Sequence, residues 1–121
     1  MESAGRIMPA CWNHAAAVQR LGGDESLLQE LISIFFEDYP RLAARLERGL
    51  EQADFAALRE AAHSLKGSLA YLGAPEIAAC ALELEKAARQ EDLSAAAERT
   101  QRLMVAVEEL RKAMCAIVGD R

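Results

Sequence analysis

From Phe55 to Leu72 the apolar residues Phe55, Leu58, Ala62, Leu65, Leu69 and Leu72 follow one another at alternating steps of three and four. That spacing keeps returning to one side of an α-helix, whereas on a strand it would scatter the same residues over both faces. A seam this regular has to be buried, and its spacing is that of a helix packed in a bundle. The chain must therefore supply other helices with seams of their own.

Such helices can be read along its whole length. Asn13 can cap a short helix from about His14 to Leu21, which Gly22 and Gly23 then stop. Asp24 caps the next, and Glu25 sits in its first turn, where negative charge suits the helix dipole. The stripe of this second helix comprises Leu27, Leu28, Leu31, Ile32, Ile34, Phe35, Leu42, Leu46 and Leu50. Pro40 falls inside the pattern and predicts a kink or short break near Asp38 and Tyr39, with helix resuming through Arg41. Asp54 caps the third helix, Gly73 ends it, and Pro75 opens a fourth that runs to about Gln90. The fourth buries Ile77, Cys80, Ala81, Leu84 and Ala88. Asp92 or Ser94 begins a fifth, with Leu103, Val107, Leu110, Met114 and Ile117 as its stripe.

No stretch carries a convincing strand pattern, and the connections are short enough to make successive long helices antiparallel. The expected fold is all-α: an up-and-down antiparallel four-helix bundle with a short N-terminal capping helix. Without an internal repeat or dividing linker, residues 13–118 read as one domain and residues 1–12 as an N-terminal extension or linker. A chain of 121 residues is long enough to bury one core without disulfides or metal. Alanine and leucine dominate its apolar half, which favours helices packed closely through small side chains.

Charge and cysteine usage exclude several classes. The net charge of −5 is interspersed rather than blocked, a poor basis for binding nucleic acid, where affinity rests on neutralising phosphates. No apolar run reaches the length of a membrane span, and the opening residues lack a signal-peptide pattern. Cys11, Cys80 and Cys115 are an odd number at wide spacings and read as reduced thiols, with Cys80 and Cys115 expected buried on helices. These features point to a cytoplasmic protein without direct membrane contact.

His63 interrupts the seam helix differently. At about 100° per residue it lies about 135° from the seam's centre, so it faces outward or borders the seam's edge. Gly67 and Ala70, at i+4 and i+7, are its neighbours on that face. Both are minimal, so the imidazole stands above a flat patch. Lys66, at i+3, brings an ammonium group within reach of anything negative on the ring, and Ser64 and Ser68 add hydroxyls nearby. A neutral imidazole is a good nitrogen nucleophile near neutral pH. A phosphoryl group on it would carry about two negative charges for Lys66 to offset. The plainer alternatives are that the histidine is merely solvated and that Gly67 permits close helix packing. His14 has no comparable neighbourhood.

Other chemistries fit poorly. Glu60 and His63 form a Glu-x-x-His pair of the kind that builds di-iron sites in bundles, but no second pair exists: Cys11 stands three residues before His14. No metal site and no bound cofactor are expected. Ser64 points about 100° away from His63 and cannot form a nucleophile–base pair with it. There is no glycine-rich phosphate loop or Walker lysine, so autonomous kinase activity is not expected.

The stretch Ala62-His63-Ser64-Leu65-Lys66-Gly67-Ser68, followed by Leu72-Gly73-Ala74, resembles the phosphorylation motif of histidine-containing phosphotransfer domains of multistep two-component signalling. The resemblance extends to Arg20-Leu21-Gly22-Gly23-Asp24, to Phe35–Leu46 with its proline, to Leu82-Glu83-Leu84-Glu85 and to Glu91-Asp92-Leu93. It covers roughly Asn13 to Met114. It implies that His63 accepts a phosphoryl group on Nε2 from a receiver-domain aspartate and passes it to another receiver. It further implies that Lys66 helps neutralise that group and that Gly67 lets the receiver's loops approach. Glu85, on the facing helix, would accept a hydrogen bond from the imidazole Nδ1–H. Arg59, Ser64, Ala70 and Tyr71 would rim the docking patch, and the receiver would supply Mg²⁺. Two residues depart from the family pattern: Leu69 stands where a small residue is usual, and Tyr71 is bulkier than the usual polar residue.

Two alternatives belong to other classes. One is a passive helical interaction module with an incidental surface histidine. The other is a dimerisation and phosphoacceptor domain of a histidine kinase, which normally has an acidic residue after its histidine and forms a dimer of helical hairpins. Ser64 follows His63 here, and five helices can close a monomeric bundle, so a monomer is expected.

Overall fold

The computed structural model describes residues 12–118, with side chains to residue 115. It consists of five helices: α1 (His14–Arg20), α2 (Glu25–Gln52), α3 (Phe55–Tyr71), α4 (Pro75–Arg89) and α5 (Leu93–Val118). Each of α2 to α5 packs on the next, most extensively α3 on α4, and α5 closes the ring against α2. The four-helix bundle with its short leading helix is thus the observed architecture.

The ends of the helices share one device. Asn13, Asp24, Asp54 and Asp92 each accept a hydrogen bond through Oδ1 from the backbone N–H three residues on, at 2.9–3.1 Å. Each satisfies one of the donors a first helical turn leaves without a partner. Asp92, rather than Ser94, is the cap of α5. At the other ends of α1 to α4 the chain turns left-handed, at Gly22 and Gly23, at Ala53, at Gly73 and at Glu91, with φ between 51° and 84°. The next residue's N–H then reaches back to a carbonyl of the last helical turn, as from Asp54 to Gly49 at 2.8 Å and from Asp92 to Ala87 at 3.1 Å. Asp54 and Asp92 are also the N-caps that follow, so α2 passes to α3 and α4 to α5 with almost no loop.

The core is a leucine and alanine interior. Leu28, Leu46, Leu58, Leu65, Leu69, Leu84, Leu103 and Leu110 are fully or almost fully buried, with Ala61, Ala62, Ala81, Ala88, Ala96 and Ala106 between them. Small residues let backbones approach: a Cβ at Gly49 of α2 would meet Leu58 of α3 at 3.0 Å.

Several expectations need correction. Helix α2 runs uninterrupted through Pro40 instead of breaking near Tyr39. An interior proline costs about 3 kcal/mol, but Ile32 and Phe35 before it and Leu42 and Leu46 after it are all buried on one face. Breaking the helix would lift one of these pairs out of the core. The ring itself is exposed. Leu27 and Ile34, read as part of the buried stripe, lie exposed on the outer side of α2. Cys80 and Cys115 are only half-buried. Thr100, on the other hand, is buried. The side chain of Ile117 and residues 1–11, including Cys11, lie outside the described residues.

Trp12, assigned by sequence to the N-terminal extension, is buried in the core and donates its indole N–H to the carbonyl of Leu72 at 2.8 Å. That carbonyl belongs to the end of α3, where helical partners run out. Gly73, left-handed at φ 80°, brings the same turn within 3.1 Å of the Ala17 Cβ when a Cβ is built on it. The leading segment therefore clamps the C-terminal end of α3. Trp12→Phe removes the donor and leaves a buried acceptor without a partner, so urea unfolding should show a loss of about 1–3 kcal/mol.

Candidate functional site

The histidine helix is held down by its seam. Leu58, Ala62, Leu65, Leu69 and Leu72 are buried, and Phe55 at the first turn is half-buried. His63 consequently points away from the core, with 68 % of its side chain exposed. Arg59, Ser64, Gly67, Ala70 and Tyr71 are exposed as well.

The facing helix supplies the site's other half. Its buried stripe is up to two residues wide: Ile77 and Ala78, Ala81, Leu84 and Glu85, then Ala87 and Ala88. Glu85 thus occupies a core-edge position that Ala78 fills two turns earlier, and its side chain is only 6 % exposed. A carboxylate taken out of water is costly unless cations and donors surround it. Three side chains do so here. Lys66 Nζ donates to Oε1 at 2.8 Å, Arg89 Nη2 donates to Oε2 at 3.1 Å, and His63 Nδ1 lies 3.3 Å from the same Oε2.

The hydrogen bond from Lys66 is the largest cause holding the Glu85 carboxyl below its usual range. Burial opposes it, and the Lys66 charge and the His63 contact add to it. Glu85 is therefore ionised near neutral pH and can only accept hydrogen bonds. The proton between it and the imidazole then sits on Nδ1, which leaves the Nε2 lone pair of the neutral ring free.

The structure thus brings together His63, Lys66 and Glu85, three residues singled out from the sequence. It adds Arg89, which sequence reasoning missed, although Glu85 and Arg89 stand in the favourable i, i+4 order of acid before base. Lys66 is not a free cation awaiting a ligand; it is already bound to Glu85, with two ammonium hydrogens left over.

Gly67 resolves differently from its plainer reading. A Cβ built there would find no atom within 4 Å, so the glycine serves no packing inside the bundle. It leaves open space beside the imidazole. His14, by contrast, is tied to Glu25 at 3.0 Å and tilted against Trp12 with ring centroids 5.6 Å apart, a structural setting between α1 and α2. Among the described residues, no group of three or more His, Cys, Asp or Glu is placed to hold a metal ion. None of their helices is long and apolar enough to cross a membrane.

The family model of the Hpt domain matches residues 30–114, a span that takes in α3, α4 and all four residues of the cluster. Helix α1 and the start of α2 precede it. No curated protein and no solved structure matches the chain.

Two outcomes follow from this geometry. Gly67→Ala should raise stability by about 1 kcal/mol, the helix-propensity difference at an exposed interior position, as measured by urea unfolding. A packing role for the glycine would give the opposite sign. Because the folded-state pKa of Glu85 is lowered from 4.5, its ionic contribution is fully present above that value. It is lost as pH falls through the lower folded-state pKa. Unfolding free energies of the wild type and Glu85→Gln, compared over an acid pH series, should therefore converge below pH 4.5.

Proposed function

The chain belongs to the Hpt domain family, and from that premise we propose that His63 is its phospho-accepting residue, exchanging a phosphoryl group through Nε2 with receiver-domain aspartates. Hpt domains are phosphotransfer intermediates of two-component systems, carriers rather than kinases. The observation that carries the assignment to His63 is the ionised Glu85 carboxylate 3.3 Å from Nδ1, beneath an imidazole that is otherwise mostly exposed.

The reaction is an in-line displacement. Nε2 attacks the phosphorus of a receiver's aspartyl phosphate, the N–P bond forms, the P–O bond to the aspartate breaks, and the aspartate leaves as a carboxylate. The Nδ1 proton stays on the ring, which becomes cationic. Glu85 stabilises that cation while holding the ring in the reactive tautomer, the orienter's role in nucleophilic sites. In the reverse direction the cationic ring is a good leaving group, so one arrangement serves both transfers.

Lys66 offsets charge on the phosphoryl group, and the space beside Gly67 admits the receiver's active-site loops. Arg59, Ser64, Ala70 and Tyr71 border that approach as docking residues. The receiver contributes the divalent cation and the acidic pocket, so the domain needs no cofactor of its own. It acts as a monomer in the cytoplasm, one copy meeting one receiver at a time. Support for this division of labour comes from the site itself, which presents an exposed nucleophile, an orienter and cations.

Incubation with a phosphorylated receiver domain should transfer a label that is acid-labile and alkali-stable, as expected of phosphohistidine. His63→Gln, altering an exposed side chain, should remain folded and accept none. Label that persists in this variant would refute the assignment.

A further inference from the structure

Glu60 stands three residues before His63 on α3, a spacing that puts a carboxylate and an imidazole on one face of a helix. The same spacing lets such a pair converge on a single ion in di-iron bundles, so the two side chains can meet. Here they are kept apart. Arg45 of α2 donates through Nη2 to Glu60 Oε1 at 3.1 Å. Among the described residues, the only carboxylate within ion-pair distance of His63 is Glu85. The ion pair is uneven: Glu60 is 64 % exposed and Arg45 only 36 %, so an open carboxylate is held by a more enclosed guanidinium.

A second carboxylate on the imidazole would undo the site. Glu85 keeps a proton on Nδ1, and an acceptor at Nε2 would draw a proton there as well. The ring would then be cationic, with no lone pair left to attack phosphorus. An unpaired Glu60 would also oppose the negative phosphoryl group as it arrives. The other cations on this face are differently placed. Arg41, one turn earlier on α2, is bound to Asp38 at 2.8 Å, and Lys66 and Arg89 are bound to Glu85. Arg48 lies next to Gly49, whose neighbour on α3 is Leu58, farther from His63. Arg59 adjoins Glu60 in sequence and therefore points about 100° away from it.

We propose that Arg45 is a positioning residue for the phosphoryl site, holding Glu60 against α2 so that Nε2 of His63 stays unpaired and open to phosphorus. The proposal rests on His63 being the acceptor and brings a third helix into the site. A merely structural Arg45 would tie α2 to α3, and its loss would leave the protonation pattern of the ring unchanged.

Two readouts separate these cases. In ¹H–¹⁵N spectra of the imidazoles at mildly alkaline pH, the resonances absent from His63→Gln are those of His63. Arg45→Gln should move the Nε2 resonance towards that of a protonated nitrogen. Arg45→Lys and the double variant Arg45→Gln/Glu60→Gln should stay close to the wild type. Phosphoramidate reports reactivity without a partner protein. Its P–N bond breaks, its protonated nitrogen leaves as ammonia, and the Nε2–P bond forms while the Nδ1 proton remains on the ring. Arg45→Gln should slow this transfer about threefold, the scale of one exposed ion pair, and the double variant should recover the wild-type rate.

If either readout is unchanged in Arg45→Gln, or its change persists in the double variant, the Arg45 proposal is overturned. The acceptor assignment then stands, provided that the wild type is labelled and His63→Gln is not. If His63→Gln takes up label as the wild type does, the acceptor assignment falls, and the Arg45 proposal with it.

Discussion

A carboxylate with 6 % of its surface exposed cannot remain ionised unless cations come to it, and Glu85 imposes that demand on the whole α3–α4 interface. The demand is met from two directions. Arg89 comes from one turn along the same helix, and Lys66 and His63 come from the helix opposite. For the last two to arrive together, α3 must lie against α4 in a single register and at close range. Alanines supply the range, since Ala61 and Ala62 on α3 and Ala78, Ala81 and Ala88 on α4 are all buried. A one-residue slip would rotate His63 by about 100° away from its acceptor. Packing and chemistry are therefore coupled at one oxygen pair.

This coupling is what would let so plain a site perform the proposed reaction. A nucleophile on a rigid helix loses little entropy in reaching its reactive orientation, in contrast to one on a mobile loop. The leucine seam provides the rigidity, the Trp12 clamp closes the far end of the same helix, and the empty space at Gly67 leaves the approach clear. In the proposed reaction the divalent cation and acidic pocket would come from the receiver. An exposed imidazole above a buried carboxylate is what this chain contributes.

Four of the five helix starts were legible because Asn and Asp caps act within four residues, a distance at which tertiary context has little say, and Pro75 marked the start of α4. Half of the helix stops were legible for the same reason: Gly22 and Gly73 announce a left-handed residue. Ala53 and Glu91 adopt the same conformation without any such signal, because the packing of flanking helices decides it against their intrinsic preference. Pro40 shows the reverse case. Its local preference for a break was plain, and the burial of Ile32, Phe35, Leu42 and Leu46 on one face outweighed it. Leu27 and Ile34 fit a helical stripe by period, yet a stripe's width is set by neighbouring helices, and these two fall outside it.

The sequence by itself determined the class of fold, the orientation of His63 and the closeness of Lys66, since each depends only on helical periodicity within one segment. It also marked Glu85 through a family resemblance. Only the tertiary structure decided that Glu85 is buried, that Lys66 is already engaged in the resting site, and that Arg89 joins the cluster. These depend on how far α4 sinks against α3, a quantity set by side chains on both helices at once. Whether Gly67 faced a neighbouring helix or open space was settled in the same way. A glycine costs a helix the same in either setting, and only the arrangement of the other helices shows which one the missing side chain left room for.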